Sequence, residues 1–181
     1  MYRDNTLIPA EAVRLAALGS LVQGEKSYED LAREIRFFVA RIVGPSLDLL
    51  GTSLELLRLE GLVATEDGAA AIESLPDDSV LHVTEDGHAA FHTLMTSNVR
   101  GLANDLSHLV IALKMRFLPL LPETDRHEQA EIIAEACESE IARLKDLRQS
   151  YGNGFLAEWL DHEITEATER HDWFTALDGR V

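Results

Sequence analysis

Residues 51–65 read GTSLELLRLEGLVAT, and this stretch predicts a helix that leads directly into a β-strand. Its leucines recur at the spacing of one helix face, and Gly61 is a typical residue just beyond a helix C-terminus. Residues 62–65 favour a short strand, and Glu66-Asp67-Gly68 is a turn signal. The stretch therefore predicts the junction between a helix and the first strand of a hairpin.

Two further helices are predicted before this junction, over residues 9–22 and 28–43. Apolar residues recur in both helices at spacings of three and four. Ser27 and Asp30 form a capping pair at the start of the second helix. Gly44-Pro45 ends it, because the residue before a proline is pushed out of the helical region.

A second strand over residues 80–83 and a helix capped by Thr84 follow the hairpin loop. The order is then three helices, a two-stranded ribbon and a helix, which is the layout of a winged helix-turn-helix. In that fold the third helix enters the major groove of DNA. We therefore predict a mostly α fold (α+β), in which residues 1–96 form a winged helix-turn-helix DNA-binding domain with a two-stranded wing.

The remaining sequence predicts only long helices, one over residues 98–118, one from Asp125 to about residue 151 and one over residues 155–177. Asp125 and Glu128 resemble a capping pair for the middle helix. Long helices with no sheet to cover them often pack against a second chain. Residues 97–181 are therefore predicted to form a helical dimerisation domain.

The last helix carries the residues that we predict at the dimer interface, namely Leu156, Trp159, Leu160, Ile164 and Trp173. An alternative use of its aromatic side chains is a pocket for an aromatic effector, lined by Phe155, Trp159, Trp173 and Phe174. Packing within the dimer is the commoner explanation, since aromatic side chains supply the largest buried areas at interfaces.

Several segments together resemble the PadR family of transcriptional regulators, closest to its two-domain AphA-like type. The segments are SYEDLA (27–32), GTSLELLRLEGLV (51–63), VLHVTEDG (80–87), and HEI (162–164) with WFTAL (173–177). The resemblance covers most of the chain. It implies a dimer that binds a palindromic operator in double-stranded DNA through the third helix of each winged-helix domain, together with a small-molecule effector that the sequence does not identify.

Two features depart from the family pattern. Leu54 stands where the family usually has a tyrosine in the recognition helix. The family wing is commonly basic, whereas this one carries five carboxylates, at Glu66, Asp67, Glu73, Asp77 and Asp78. An acidic wing repels phosphate, which puts a contact between the wing and DNA in doubt.

The charge balance also opposes DNA binding. The chain has 16 basic and 32 acidic residues, a net charge of −16, and the excess is spread over both halves. Phosphate neutralisation supplies much of the affinity of DNA-binding proteins. The alternative function is therefore a winged-helix protein–protein interaction module that has lost DNA binding, since a fold alone does not decide function.

Candidate DNA contacts fall on the second and third helices. The predicted phosphate contacts are Lys26, Tyr28, Arg33 and Arg36, and the predicted groove-facing residues are Ser46, Thr52, Ser53 and Arg58, with Glu55 as a further candidate. Hydroxyls bond phosphates or bases, and arginine grips guanine. The second helix is the element that crosses the DNA backbone in this fold.

Other classes of function find little support. The sequence has no Gly-rich phosphate loop, nucleophile elbow or zinc-protease motif, so we expect no enzyme activity and no cofactor. Two weak histidine groupings, His88 with His92 and His162-Glu163 with His171-Asp172, do not outweigh the expectation of no metal site. The N-terminus lacks a signal-peptide pattern, no apolar run would span a bilayer, and the single Cys137 cannot form an internal disulfide. We expect a cytoplasmic protein without membrane contact.

Overall fold

The computed structural model describes residues 9–43, 50–65, 78–99 and 105–180. The helices are α1 (Pro9–Val22), α2 (Tyr28–Ile42), α3 (Leu50–Leu59), α4 (Glu85–Met95), α5 (Asp105–Phe117), α6 (Glu123–Gln149) and α7 (Phe155–Asp178), and the strands are β1 (Lys26–Ser27), β2 (Val63–Thr65) and β3 (Val80–Val83). The fold is mostly helical with a small antiparallel sheet, which confirms the predicted winged helix followed by long helices. A short 3₁₀ turn, Leu118–Leu120, follows α5.

Contacts divide the chain into two compact units. The N-terminal unit comprises Met1–Ser97 and Asp105–Leu120, and the C-terminal unit comprises Asn98–Asn104 and Leu121–Val181. This division differs from the predicted boundary after residue 96, because α5 packs on α1 and α2. The sequence pattern marks the apolar face of α5 but does not specify its partner.

Helix α1 lies at the centre of the N-terminal unit. It packs against α2, α3, α4, α5 and β3, and a helix so surrounded must be apolar on nearly every side. The sequence provides this, since residues 12–18 are buried except for Arg14. Gly19 lies against the ring of Phe117, where a larger residue would collide with the α5 side chain.

The sheet has the strand order β1–β3–β2. Strand β3 pairs antiparallel with β2, placing Val63 opposite Val83, and with β1, placing Lys26 opposite Leu81. The sequence predicted β2 and β3 but not β1, because two residues are too few to show an alternating pattern. The added strand places Lys26 and the start of α2 beside the wing.

Local capping signals fix the starts of α2 and α4. The Ser27 hydroxyl accepts a hydrogen bond from the Asp30 backbone N–H at 3.1 Å, as predicted. The Thr84 hydroxyl accepts from the Gly87 N–H at 3.0 Å and donates to the Gly61 carbonyl at 2.7 Å. A side chain at Gly87 would collide with the Leu62 carbonyl, so the glycine permits the close approach of α4 to the turn after α3.

The C-terminal unit is built on a hairpin of α6 and α7. Arg148 Nε lies 2.8 Å from Asp161 Oδ1, and Arg170 Nη1 lies 3.1 Å from Glu140 Oε2, a register that requires antiparallel helices. The predicted capping role of Asp125 is wrong, because α6 begins two residues earlier, directly after Pro122, without a side-chain cap. Pro122 fixes this start because proline is tolerated at the first turn of a helix but not inside one.

Cys137 is fully buried in the hairpin. Burial raises the pKa of its thiol to about 11. The thiol is therefore protonated at neutral pH and acts as a small apolar side chain.

Candidate nucleic-acid interface

The outer face of α2 is the most cationic surface that the structure describes in the N-terminal unit. Arg33, Arg36, Phe37, Ala40 and Arg41 are all exposed, and their three- and four-residue spacing places them on one side of the helix. No acidic residue occurs between positions 35 and 47. The second half of α2 is thus a local positive surface in an acidic chain.

The charges on this face differ in how far they are already neutralised. Arg33 forms an ion pair with Asp30, and its guanidinium lies 3.7 Å from Glu29 Oε1. The Arg41 guanidinium lies 4.9 Å from the centre of the Phe37 ring, a cation–π contact. Phe37 is itself 62% exposed.

Lys26 and Tyr28 lie at the start of this region and are both partly buried. The Lys26 ammonium is 2.9 Å from Glu34 Oε2. The Tyr28 backbone N–H donates to the Ser79 carbonyl at 3.0 Å, which ties the start of α2 to the residue before β3. Of the predicted phosphate contacts, Arg33 and Arg36 are the more accessible.

Glu34, on the inner side of α2, forms polar contacts with several side chains. Besides Lys26, it receives an ion pair from Arg116 on α5 and a hydrogen bond from the Ser20 hydroxyl of α1 at 3.1 Å. Burial alone would raise the pKa of Glu34, but the hydrogen bonds from Lys26, Arg116 and Ser20 outweigh it and hold that pKa below its ordinary value. Glu34 is therefore ionised at neutral pH.

Helix α3 buries Leu54 and Leu57 and exposes Glu55, Leu56 and Leu59. The exposed leucines were not predicted, because leucine at helical spacing is more often a core residue. Arg58 is partly buried. The backbone of Thr52 and Ser53 belongs to α3, but their side chains, like the whole of Ser46, lie outside the described part of the structure, as do the wing residues Glu66, Asp67, Glu73 and Asp77.

The C-terminal hairpin presents a second surface, which carries exposed aromatic side chains. Phe155 is 91% exposed, Trp159 51% and Trp173 48%. Their separations of four and fourteen residues are close to whole helical turns, so the three aromatic side chains form one stripe along α7, in which the exposed His162 and Glu166 also lie. Leu147, Tyr151 and Leu156 are also exposed.

Leu160 and Phe174 point the other way and are buried within the hairpin. Leu160 therefore belongs to the core of the single chain and is not available as an interface residue, which corrects its predicted place. Phe174 makes an edge-to-face contact with Trp173 at 4.8 Å between ring centres. That contact holds the Trp173 ring in position on the stripe.

Neither histidine grouping forms a metal site among the described residues, where no three His, Cys, Asp or Glu side chains gather in a way that would hold an ion. His88 and His92 are exposed on α4. His162 faces Glu166 at 4.0 Å, and His171 faces Asp172 at 3.2 Å. Within the same residues, no helix combines the length and the apolar character needed to cross a membrane.

A comparison with protein-family models identifies the family. Residues 2–178 match the model of the AphA-like transcriptional regulators. The chain belongs to this family. The match spans both units, and it confirms the PadR-like resemblance of the sequence. The protein is a transcriptional regulator.

Solved structures with a similar course of the chain include PadR of Bacillus subtilis in complex with operator DNA (14% identity, TM-score 0.40, covering 96% of this chain and 100% of that one). PadR of Bacillus subtilis in complex with p-coumaric acid matches at 13% identity and a TM-score of 0.39, covering 97% of this chain and 98% of that one. A PadR-like transcriptional regulator from Bacillus cereus matches at 20% identity and a TM-score of 0.36, covering 93% and 96%. No curated protein sequence matches the chain.

Proposed function

We propose that this AphA-like regulator binds double-stranded DNA as a homodimer, with α3 of each chain in the major groove and α2 on the phosphate backbone. The observation that carries the proposal is the second half of α2, which bears exposed arginines and no acidic residue in an otherwise acidic winged-helix unit. Phosphate contacts need local rather than overall positive charge, because salt screens charges beyond about 10 Å. A net charge of −16 is therefore compatible with binding at this face.

The proposed contacts divide into two groups. The phosphate group contains Lys26, Tyr28, Arg33 and Arg36, and the groove group contains Ser46, Thr52, Ser53 and Arg58. Phosphate contacts position a protein on the duplex, and base contacts specify the sequence. Arg36 is the most informative member, because it is exposed and lies in the acid-free half of α2.

The proposed dimer forms through the exposed stripe of α7. Trp159 and Trp173, together with the exposed Leu156 and the partly buried Ile164, would be covered by the same surface of a second chain, whereas Leu160 stays in the hairpin core. A two-fold dimer presents two winged helices and therefore favours a palindromic operator. Such a regulator acts in the cytoplasm, and the same aromatic surface is where an effector would act on the dimer.

The proposal is tested with Arg36→Ala and the matched control Arg143→Ala, an exposed arginine of α6. We expect Arg36→Ala to weaken binding to any duplex by roughly three- to tenfold at 0.1 M salt and to reduce the salt slope by about one. Arg143→Ala should bind like the wild type. The measurement is fluorescence anisotropy at several salt concentrations, and equal affinities and slopes for the two variants would contradict the proposal.

A second candidate, the protein–protein interaction module, is favoured by the exposed apolar side chains of the same unit. Phe37, Leu56 and Leu59 lie on α2 and α3, where DNA phosphates would gain nothing from an apolar contact. A folded dimer that binds no DNA at low salt would favour this module. In that case Phe37→Ala should weaken binding of the protein partner without changing the oligomeric state.

A further inference from the structure

Glu34 is the point at which four elements of the N-terminal unit meet through polar contacts. Its carboxylate lies on α2, 2.9 Å from the Lys26 ammonium of β1. It also pairs with Arg116 of α5 and accepts a hydrogen bond from Ser20 of α1 at 3.1 Å. A carboxylate that holds two cations and a hydroxyl offers them the same charge-assisted contacts that a phosphate group would.

We propose that Glu34 is an internal competitor of DNA phosphate, which holds Lys26 in an ion pair and so limits the sequence-independent affinity of the protein for DNA. The inference rests on the proposed DNA binding. It goes beyond it, because it states that an acidic residue, Glu34, limits the number of cations that contact the DNA backbone. A regulator with weaker non-specific binding discriminates its operator better from the competing genomic sites.

Lys26 is suited to this role by its position and its chemistry. It is the only lysine in residues 1–95, it is paired, and its side chain is still 28% exposed. The flexible four-carbon stem of lysine allows its ammonium to turn from one anion to another. A phosphate at the edge of the sheet would therefore compete directly with Glu34 for this cation.

Arg116 is held differently. Its guanidinium lies 5.1 Å from the ring centres of both Phe38 and Phe117, so aromatic contacts keep it in place when Glu34 is neutral. The tie between α2 and α5 consequently does not depend on the carboxylate alone. Neutralising Glu34 should release Lys26 while leaving the helices packed.

The test compares Glu34→Gln with Glu29→Gln, using a duplex of unrelated sequence as the probe. Both substitutions remove one negative charge from α2, but Glu29 is exposed and lies 3.7 Å from the already exposed Arg33. We expect Glu34→Gln to bind the duplex roughly five- to tenfold more tightly at 0.1 M salt, with a salt slope steeper by about one, because one more cation reaches a phosphate. Glu29→Gln should change the affinity less than twofold, because Arg33 stays paired with Asp30.

A double-mutant cycle assigns the gain to Lys26. Lys26→Gln should weaken binding slightly in the wild-type background, where Glu34 competes for the lysine, and roughly five- to tenfold more in the Glu34→Gln background, where it should abolish the gain. Equal or weaker binding by a folded Glu34→Gln, or a gain that survives Lys26→Gln, would overturn the inference. If Glu34→Gln does not fold, a loss of affinity on Lys26→Gln as large as that on Arg36→Ala would do the same, because it would show that Glu34 does not restrain the lysine.

The wild-type titration separates this inference from the proposed function. If the wild type binds DNA and Glu34→Gln binds it no more tightly, the proposed function holds and the inference about Glu34 is wrong. If neither protein binds DNA at low salt, both the proposed function and the inference about Glu34 are wrong. Thermal unfolding of each variant, followed by circular dichroism, establishes that the compared proteins are folded.

Discussion

The two units of the protein bury their apolar residues to different extents. In the N-terminal unit, α1 is surrounded by four helices and a strand, and Leu15, Leu18, Leu31 and Ile35 are almost completely buried. In the C-terminal unit, α6 and α7 bury one face against each other and leave Phe155, Trp159 and Trp173 exposed. Two helices cannot enclose a core, so exposed aromatic residues are the consequence of that architecture.

The difference indicates that the two units have different roles. A unit that completes its own core within one chain can hold a polar surface such as the outer face of α2 in a fixed geometry. A unit that leaves an aromatic stripe uncovered gains stability by covering it with another chain.

The largest effect is expected from charges introduced into the aromatic stripe. Trp159→Glu combined with Trp173→Glu should convert the proposed dimer into a monomer and weaken association by more than about a hundredfold, since aromatic anchors dominate interface energies. Sedimentation equilibrium measures the change. Phe37→Glu is the control, because it charges an equally exposed aromatic residue in the N-terminal unit. A monomeric wild type, or loss of the dimer in the control, would contradict the contrast.

A single methyl group should disturb the self-contained core of the N-terminal unit. Gly87→Ala places a Cβ against the Leu62 carbonyl, where backbone on both sides prevents easy relaxation. We expect a loss of about 2–3 kcal/mol in the free energy of unfolding, measured by denaturant titration. Gly152→Ala, whose Cβ would meet no atom within 4 Å, should change this free energy little. Equal stabilities would show that the turn after α3 is not tightly packed.

Lys114 gives the N-terminal unit a pH dependence. Its fully buried ammonium donates hydrogen bonds to the Met95 and Ser97 carbonyls, the second at 2.5 Å, and burial lowers its pKa from 10.5 to about 7. Because the unfolded chain binds this proton more tightly than the folded one, stability rises as the pH increases from about 7 towards 10.5. We expect a gain of about 1–2 kcal/mol between pH 7.5 and 9.

The control for this pH dependence is a matched pair of lysine substitutions. Lys114→Met should remove the slope of stability against pH, whereas Lys145→Met, at an exposed position of α6, should keep it. Urea denaturation at several pH values measures both slopes. A wild-type slope that persists in Lys114→Met would assign the pH dependence to another group.

Local signals in the sequence were sufficient for much of the fold. The bounds of α1, the Ser27 and Thr84 caps, and the strands β2 and β3 all follow from spacing, capping chemistry and turn residues within a few positions. These features depend on neighbours in sequence, so the sequence alone predicts them.

The features that were missed depend on distant residues. Strand β1 exists because Lys26 and Ser27 meet β3 more than fifty positions later in the sequence. The Glu34 cluster joins residues from four elements, and no local pattern distinguishes this carboxylate from the exposed Glu29. The burial of Leu160 likewise depends on which face of α7 meets α6, and an amphipathic pattern leaves that choice open.

The most direct test of DNA binding is an anisotropy titration of the wild-type protein. The probes are DNA from upstream of the protein's own gene and an unrelated duplex, each at two salt concentrations. We predict tighter binding to the upstream DNA than to the unrelated duplex, weaker binding at higher salt, and a loss of affinity for both probes in Arg36→Ala. Absence of binding at low salt, by a protein shown to be folded and dimeric, would contradict DNA binding and leave the protein-interaction module as the function of the N-terminal unit.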